Sequence, residues 1–161
     1  MGSGKSTVGL ALSKELNLNF VDADAEIEKQ ESKSIQDIFN SAGEQEFRKI
    51  ETEWLIHADL ESTVLATGGG MPCFNGNMDK LKLLGTVIYL KPELYAWAQR
   101  FNEKERSQRP LLMGLNPNEI KETLTSHLAG RSAIYETAHI TIETTNKDVP
   151  KIVNEIMKIL G

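Results

Sequence analysis

Residues 1–7 read Met-Gly-Ser-Gly-Lys-Ser-Thr, and this stretch decides the fold. It matches the second half of a glycine-rich phosphate-binding loop, in which bare backbone amides surround phosphate oxygens and a lysine adds positive charge. Apolar residues recur at helical spacing over 8–16, so the loop runs into a helix whose N-terminus faces the anion. The stretch predicts a site for nucleotide phosphates, with a serine hydroxyl of the kind that ligates Mg²⁺.

The complete loop motif has a further glycine five residues before Gly4, and a buried strand leads into it. The chain begins after both positions. We therefore expect a longer native protein in which a strand ahead of Met1 feeds the loop. The alternative is a glycine-rich turn at a helix start that holds no ligand.

Composition predicts one domain over residues 1–161, with 40% hydrophobic and 25% charged residues. The net charge of −5 argues against a nucleic-acid partner, which requires a basic face. The single cysteine, Cys73, cannot form an intrachain disulfide and fits a reducing cytoplasm. No apolar run reaches the length of a membrane span.

Two carboxylates follow the first helix, in the predicted strand end Phe20-Val-Asp-Ala-Asp24. Because strand side chains alternate, Asp22 and Asp24 are expected to point to the same side. One of them suits Mg²⁺, and the other suits orienting or deprotonating a hydroxyl acceptor. The competing interpretation is that Asp24 caps the helix that starts at Ala25.

The region between residues 35 and 60 is predicted to hold a short helix, a break at Gly43 and a long helix from Glu44. On the long helix Arg48 and Glu51 are three residues apart and can pair. A guanidinium held by a carboxylate is oriented to bind a second, incoming carboxylate. A solvated surface pair is the alternative.

A buried strand over 62–66 runs into three glycines, Gly68 to Gly70, which leave backbone amides bare for a ligand. A second strand follows at 86–90, and a helix is expected to begin at Pro92. The polar stretch 102–108 then suggests a lid, with Arg109 placed to reach a transferring phosphoryl group.

The remainder is predicted as a helix from Asn116-Pro117 to about Glu136 that carries Arg131, a strand over 139–143, and a helix over 149–160. Strands and helices alternate, so we expect a three-layer α/β/α fold around a parallel sheet. Four strands are visible in the sequence, and the absent central one is the strand that feeds the loop.

These motifs, in this order, resemble those of shikimate kinase, a small kinase related to the nucleoside monophosphate kinases. The resemblance covers nearly the whole chain and rests on Gly-Ser-Gly-Lys-Ser-Thr, Asp22-Ala-Asp24, Phe47-Arg48 with Glu51, the three glycines, Arg109-Pro-Leu-Leu, and Arg131 followed by Tyr135. It implies transfer of the γ-phosphoryl group of ATP to the 3-hydroxyl of shikimate, on the route to chorismate and the aromatic amino acids. It also implies Mg²⁺ as the cofactor, and we expect a cytoplasmic monomer.

The resemblance further implies a role for each site residue. Catalysis is assigned to Asp24, Lys5 and Arg109. ATP binding is assigned to Gly2, Ser3, Gly4, Lys5, Ser6, Thr7, Arg109, Asn146 and Lys147. Shikimate binding is assigned to Asp24, Arg48, Gly68, Gly69, Gly70 and Arg131. The metal is assigned to Ser6 and Asp22. The lid spans about 102–116, and the substrate-binding helices span about 24–61.

Two alternatives remain open at this point. One is another small-molecule kinase of the same fold, such as a gluconate-type kinase, although a carboxylate clamp from Arg48 and Arg131 beside the three glycines favours shikimate as the acceptor. The other is a nucleotide-binding module without catalysis, because the loop lacks its feeding strand.

Overall fold

The computed structural model describes residues 4–91 and 116–161. The helices are α1 (Lys5–Leu16), α2 (Ala23–Glu31), α3 (Ile35–His57), α4 (Asn77–Leu84), α5 (Pro117–Ala129), α6 (Ser132–Tyr135) and α7 (Val149–Leu160). The strands are β1 (Asn19–Asp22), β2 (Thr63–Ala66), β3 (Ile88–Lys91) and β4 (Ile140–Glu143), and a single 3-10 turn spans Met71–Cys73. Strands and helices alternate as predicted. The helix expected from Pro92 and the lid at about 102–116, with Arg109, fall largely outside the described residues.

The strands form two parallel pairs. Strand β1 pairs with β2, with Asn19 opposite Thr63 and Asp22 opposite Ala66. Strand β3 pairs with β4, with Ile88 opposite Ile140. Parallel pairing places the carboxyl ends of each pair at one edge, which is where open α/β sheets bind ligands.

An apolar cavity of about 440 Å³ separates the two strand pairs. Its walls include Val64 and Leu65 of β2, Ile88 and Leu90 of β3, and Leu12 of α1. At one end it also reaches Lys5, Gly68 and Gly69. The cavity lies between β2 and β3, beside α1.

Two apolar clusters pack the helices against these strands. The first fixes α2, α3 and α4 and consists of Ala23, Ile27, Ile38, Phe47, Trp54, Leu55, Met71 and Leu81. The second fixes α1 and α7 against β3 and β4 and consists of Val8, Leu12, Leu90, Ile142, Ile152, Val153 and Ile156. Helices α1, α2, α3, α4 and α7 therefore each bury an apolar face in one of these clusters.

Two predicted boundaries were wrong. The strand ends at Asp22 rather than at Asp24, because the Asp22 side chain caps α2 by accepting from the Asp24 amide at 3.1 Å. The long helix predicted from Asn116 to Glu136 is two helices. The first ends at Ala129, with Gly130 as its C-cap, and Arg131 then lies at the start of α6. Asn116 caps this helix and Pro117 begins it, as the sequence suggested, and the structure adds a capping box between Asn116 and Glu119.

Candidate active site

The predicted phosphate loop leads into the N-terminus of α1. Gly4 has φ 82°, a left-handed conformation that glycine adopts without strain, and its carbonyl accepts the Val8 amide at 2.8 Å. Helix α1 thus begins at Lys5, and the N-terminus of a helix is a favourable position for an anion. The Ser6 hydroxyl donates to Oδ2 of Asp22 at 2.5 Å. This bond brings the Ser6 and Asp22 side-chain oxygens together at the start of α1, where both could ligate a metal ion.

Asp24 lies in the first turn of α2, and the competing interpretation of it as the helix cap was wrong, since the cap is Asp22. Burial raises the pKa of the Asp24 carboxyl, and the neighbouring charge of Asp22 raises it further. The positive charge of Lys5 opposes this shift, which shows that Asp24 lies within electrostatic reach of the phosphate loop. Asp24 is thus poised to take a proton at a less acidic pH than an ordinary aspartate.

Arg48 projects from α3, and two carboxylates hold its guanidinium. Nη1 donates to Oε2 of Glu51 at 2.6 Å, and Glu51 is buried with 1% of its surface exposed. Nε and Nη2 both donate to a single oxygen of Glu44, at 3.2 Å and 2.8 Å. Burial lowers the pKa of Arg48. The hydrogen bonds that Arg48 donates to Glu51 and Glu44 outweigh this effect, so the pKa is raised overall. The surface-pair alternative was therefore wrong: this is a buried, oriented arginine.

Aromatic rings surround the same guanidinium. Its Cζ atom lies 4.4 Å from the ring centre of Phe74, 5.3 Å from that of Phe47 and 5.7 Å from that of Phe39. These distances are within the range of cation–π attraction. The rings limit the directions from which a ligand can approach Arg48.

A small hydrogen-bond network fixes the backbone under Arg48. The Asn75 side chain donates to the Arg48 carbonyl at 3.1 Å, and the Thr52 hydroxyl donates to the same carbonyl at 2.8 Å. Buried Asn77 donates to Thr52 and to the Met71 carbonyl, each at 3.1 Å. The network ties α3 to the segment that follows the three glycines.

The glycines make room for the two charged groups. A Cβ at Gly68 would overlap the Asp24 carboxylate and lie 3.1 Å from Oε1 of Glu51. A Cβ at Gly70 would overlap the Arg48 guanidinium. Gly68 therefore packs against the carboxylate side of the site, and Gly70 packs against the guanidinium side.

Tyr135, at the end of α6, contacts the middle one of the three glycines. Its hydroxyl donates to the Gly69 carbonyl, and its ring stacks on Tyr89 at 5.2 Å. Burial raises the pKa of Tyr135, and the adjacent Cys73 thiol adds to that shift while Arg131 opposes it. Burial likewise raises the pKa of Cys73, against the positive charges of Arg131 and Arg48. Arg131 is therefore a neighbour of this cluster, at the head of α6.

The structure thus brings Lys5, Asp24, Arg48, the glycines and Arg131 to one region. Arg131 and Asp24 both act electrostatically on Glu51, in opposite directions. Asn146 and Lys147 lie in the loop before α7, where the Lys147 ammonium pairs with Glu155 at 2.5 Å. Gly2 and Ser3 fall outside the described residues, as does Arg109, and Thr7 is exposed on α1.

Sequence reasoning assigned no role to three residues that contribute to the site, Glu44, Tyr135 and Phe74. Glu44 was detectable, because it stands four residues before Arg48 on the same helix. Tyr135 was named only as part of the resemblance, and nothing in the neighbouring sequence predicts its hydrogen bond to the Gly69 carbonyl. Phe74 had no signal at all, since its contact with Arg48 arises only when the chain folds back after the glycines.

Among residues 4–91 and 116–161 there is no group of three or more His, Cys, Asp or Glu side chains that could hold a metal ion. His57 and His139 bond to the backbone, through the Glu53 carbonyl and the Val87 amide. Over the same residues no helix is long and apolar enough to cross a membrane.

Parallel strands, a glycine-lysine-serine turn leading into a helix, and a pocket with opposed carboxylate and guanidinium groups define a small-molecule kinase of the phosphate-loop α/β class. The family model described as "Shikimate kinase" matches residues 1–161. The chain belongs to the shikimate kinase family.

Individual relatives agree with this assignment. A shikimate kinase of Bacillus anthracis is 40% identical over 156 residues, covering 97% of this chain and 91% of that protein. One of Parabacteroides distasonis is 39% identical over 165 residues, covering 99% and 95%. The solved structure of the Acinetobacter baumannii shikimate kinase in complex with shikimate superposes with a TM-score of 0.85 at 36% identity, covering 99% of this chain and 88% of that one. These matches decide against the gluconate-type alternative.

Proposed function

We propose that this chain transfers the γ-phosphoryl group of ATP to the 3-hydroxyl of shikimate, with Arg48 and Arg131 binding the carboxylate and Asp24 meeting the hydroxyl. The observation that supports it best is the pairing of Arg48 with buried Glu51 beside Gly70, while Asp24 lies against Gly68. A small acid that also carries a hydroxyl fits between these groups. A polar cluster with only a structural role would not need both a held guanidinium and a nearby carboxylate.

The phosphate loop would hold the nucleotide. The amides at the start of α1 and the Lys5 ammonium would bind the β- and γ-phosphates. Ser6 and Asp22 fit Mg²⁺, since they offer two adjacent oxygen donors and this ion takes few protein ligands and keeps several waters. When bound, the ion would neutralise charge on the phosphates. Asn146 and Lys147 would contact the adenine side, and Arg109 would contact ATP from the lid.

Asp24 would accept or orient the proton of the attacking hydroxyl. The 3-oxygen forms a bond to the γ-phosphorus while the bond from that phosphorus to the bridging oxygen breaks, and ADP leaves. The proton of the hydroxyl passes to the Asp24 carboxylate or to water that it orients. The raised pKa of Asp24 suits this role, because a base works best when its pKa is near the working pH.

Partners and location follow from the same assignment. We infer that ATP and shikimate are the ligands, that the protein works as a cytoplasmic monomer, and that it binds neither nucleic acid nor membrane. The net charge of −5 supports the absence of a nucleic-acid partner.

The assignment is tested by steady-state ADP release with shikimate and with its methyl ester, which lacks the carboxylate charge. Arg48→Ala and Arg131→Ala should each raise the KM for shikimate by about tenfold or more and leave the KM for ATP unchanged, because a charged hydrogen bond contributes about 1.5–3 kcal/mol. The preference for the acid over the ester should shrink in both variants. Lys49→Ala is the matched control, since Lys49 is the next residue on α3 and its side chain is 66% exposed.

Wild-type shikimate kinetics in both arginine variants would disprove the clamp. Calorimetric titration with ATP and Mg²⁺ separates this from the non-catalytic alternative. Binding of ATP without turnover of shikimate would support a nucleotide-binding module instead.

A further inference from the structure

Glu44 occupies the edge of Arg48 that a substrate carboxylate would use. One oxygen of Glu44 accepts from both Nε and Nη2 of Arg48, at 3.2 Å and 2.8 Å. That edge, with two parallel N–H groups, is a preferred position for a carboxylate on a guanidinium. Glu51 holds only Nη1, on the buried side. Glu51 therefore holds the buried side of Arg48, whereas Glu44 occupies its Nε–Nη2 edge.

Exposure separates the two glutamates further. The Glu51 side chain is 1% exposed and cannot leave without stranding a buried charge, whereas the Glu44 side chain is 52% exposed. The Arg48 side chain itself is only 10% exposed, and Phe74 covers one side of it at 4.4 Å. An incoming acid that binds the Nε–Nη2 edge must therefore displace Glu44, which can move out into solvent.

The backbone next to Glu44 permits such a displacement. Gly43 has φ 80° and ψ 171°, and it interrupts the helical conformation inside α3 immediately before Glu44. Glu44 thus begins the second half of α3 and has no complete helical turn before it. Arg48 lies one turn further on, in the regular part of the helix.

We propose that Glu44 is an internal competitor for the substrate carboxylate: it neutralises Arg48 in the empty site and gives way when shikimate binds. The inference rests on the proposed function, in which Arg48 binds that carboxylate. It predicts an outcome opposite to that of a supporting residue. Removing a support weakens substrate binding, whereas removing a competitor strengthens it.

The test compares the KM and the calorimetric Kd for shikimate among Glu44→Gln, Glu44→Asp and Glu46→Gln. Glu44→Gln removes the competing charge and should lower both constants about two- to fivefold, the range expected for a partly exposed ion pair. Glu44→Asp keeps the charge but shortens the side chain, so it should also lower them. The value of kcat and the KM for ATP should not change in either variant.

Glu46→Gln is the control for long-range charge. Glu46 stands two residues away and pairs with exposed Lys49 at 2.9 Å. If Glu46→Gln lowers the KM as much as Glu44→Gln, or if Glu44→Asp leaves it unchanged, the effect is general repulsion of an anion and the proposal is wrong. A KM that rises in Glu44→Gln would show that Glu44 supports Arg48, and this also overturns the proposal.

The Arg48→Ala variant distinguishes the two levels of failure. If that variant raises the KM and the Glu44 variants do not lower it, the competitor role fails and the proposed function stands. If Arg48→Ala leaves the KM unchanged, the carboxylate clamp fails and the role of Glu44 fails with it.

Discussion

Replacing Gly70 with alanine should damage the site through a single steric contact. The Cβ of an alanine at this position would lie 2.5 Å from Cζ and 2.6 Å from Nη2 of Arg48. The backbone there has φ −88° and ψ −30°, which any residue adopts, so the substitution adds no backbone strain. The only consequence is that the guanidinium must move.

The size of that movement follows from the contact distances. Non-bonded atoms of this kind prefer separations of about 3.5–4.0 Å, so Arg48 must shift by about 1 Å. A misplacement of about 1 Å in a binding group can cost about 100-fold in rate, or about 2.7 kcal/mol. We therefore expect kcat/KM for shikimate to fall about 100-fold in Gly70→Ala, mostly through KM, with the KM for ATP unchanged.

The assay is ADP release at varied shikimate and saturating ATP, with thermal unfolding of each variant alongside. Gly85→Ala serves as the control, because a Cβ at Gly85 meets no atom within 4 Å and its φ of 170° is ordinary extended backbone. Gly70→Ala with wild-type shikimate kinetics would refute the placement of Arg48 in the site. A loss of similar size in Gly85→Ala would show that the assay reports general destabilisation.

Three further predictions concern Glu51 and Asp24, the charged groups around Gly68. Glu51→Leu leaves Arg48 paired only with the exposed Glu44, so the free energy of unfolding should fall by about 3 kcal/mol in a urea titration. An unchanged unfolding midpoint would contradict a buried ion pair. Asp24→Asn should cut kcat about 10²-fold or more while calorimetry still detects ATP binding, and an unchanged kcat would remove Asp24 as base or orienting group. The pKa of Asp24 is raised in the folded state, so its ionisation costs stability as the pH rises from below 3.8 toward neutral, and the melting temperature of Asp24→Asn should gain on the wild type over that interval. A melting temperature of Asp24→Asn that falls relative to that of the wild type as the pH rises would contradict the raised pKa.

Most elements of the fold were predictable because their signals are local. Helix α7 was placed at 149–160 from its apolar stripe, and the structure gives Val149–Leu160 with an Asp148 cap. The four strands were each found within about two residues of their ends, the usual scatter for boundaries. The break at Gly43 was also expected, because glycine is the residue that leaves helical geometry most readily.

The errors arose where two local signals competed. At Asp22-Ala-Asp24 the alternation of a strand and the cap of a helix predict different directions for the same side chains, and the cap prevailed. At Gly130 the apolar spacing continued across the glycine, although the helix did not. In both places the unsatisfied backbone groups at a helix end decided the conformation. The sequence signal for such helix ends is weaker than the signal of hydrophobic periodicity.

Contacts between distant segments were beyond sequence reasoning. The Arg48–Glu51 pair could be predicted from their spacing on one helix, but its burial could not, because Phe74 and Gly70 reach it from the next part of the chain. The same is true of Tyr135 and Gly69, which are 66 residues apart. Spacing within an element predicts which groups can pair, and only tertiary packing decides whether water surrounds them.

The arrangement of charges explains why Asp24 and Arg48 do not simply neutralise each other. Asp24 lies against Gly68 and Arg48 lies against Gly70, so a span of at most about 7 Å of backbone separates their contact points. Glu51 lies between them: its carboxylate bonds Arg48, and the charge of Asp24 acts on it repulsively. Arg48 is thereby satisfied on its buried side without Asp24, and Asp24 keeps its raised pKa. A ligand that joins a carboxylate to a hydroxyl can then reach both groups at once, whereas a direct Asp24–Arg48 pair would have closed the site.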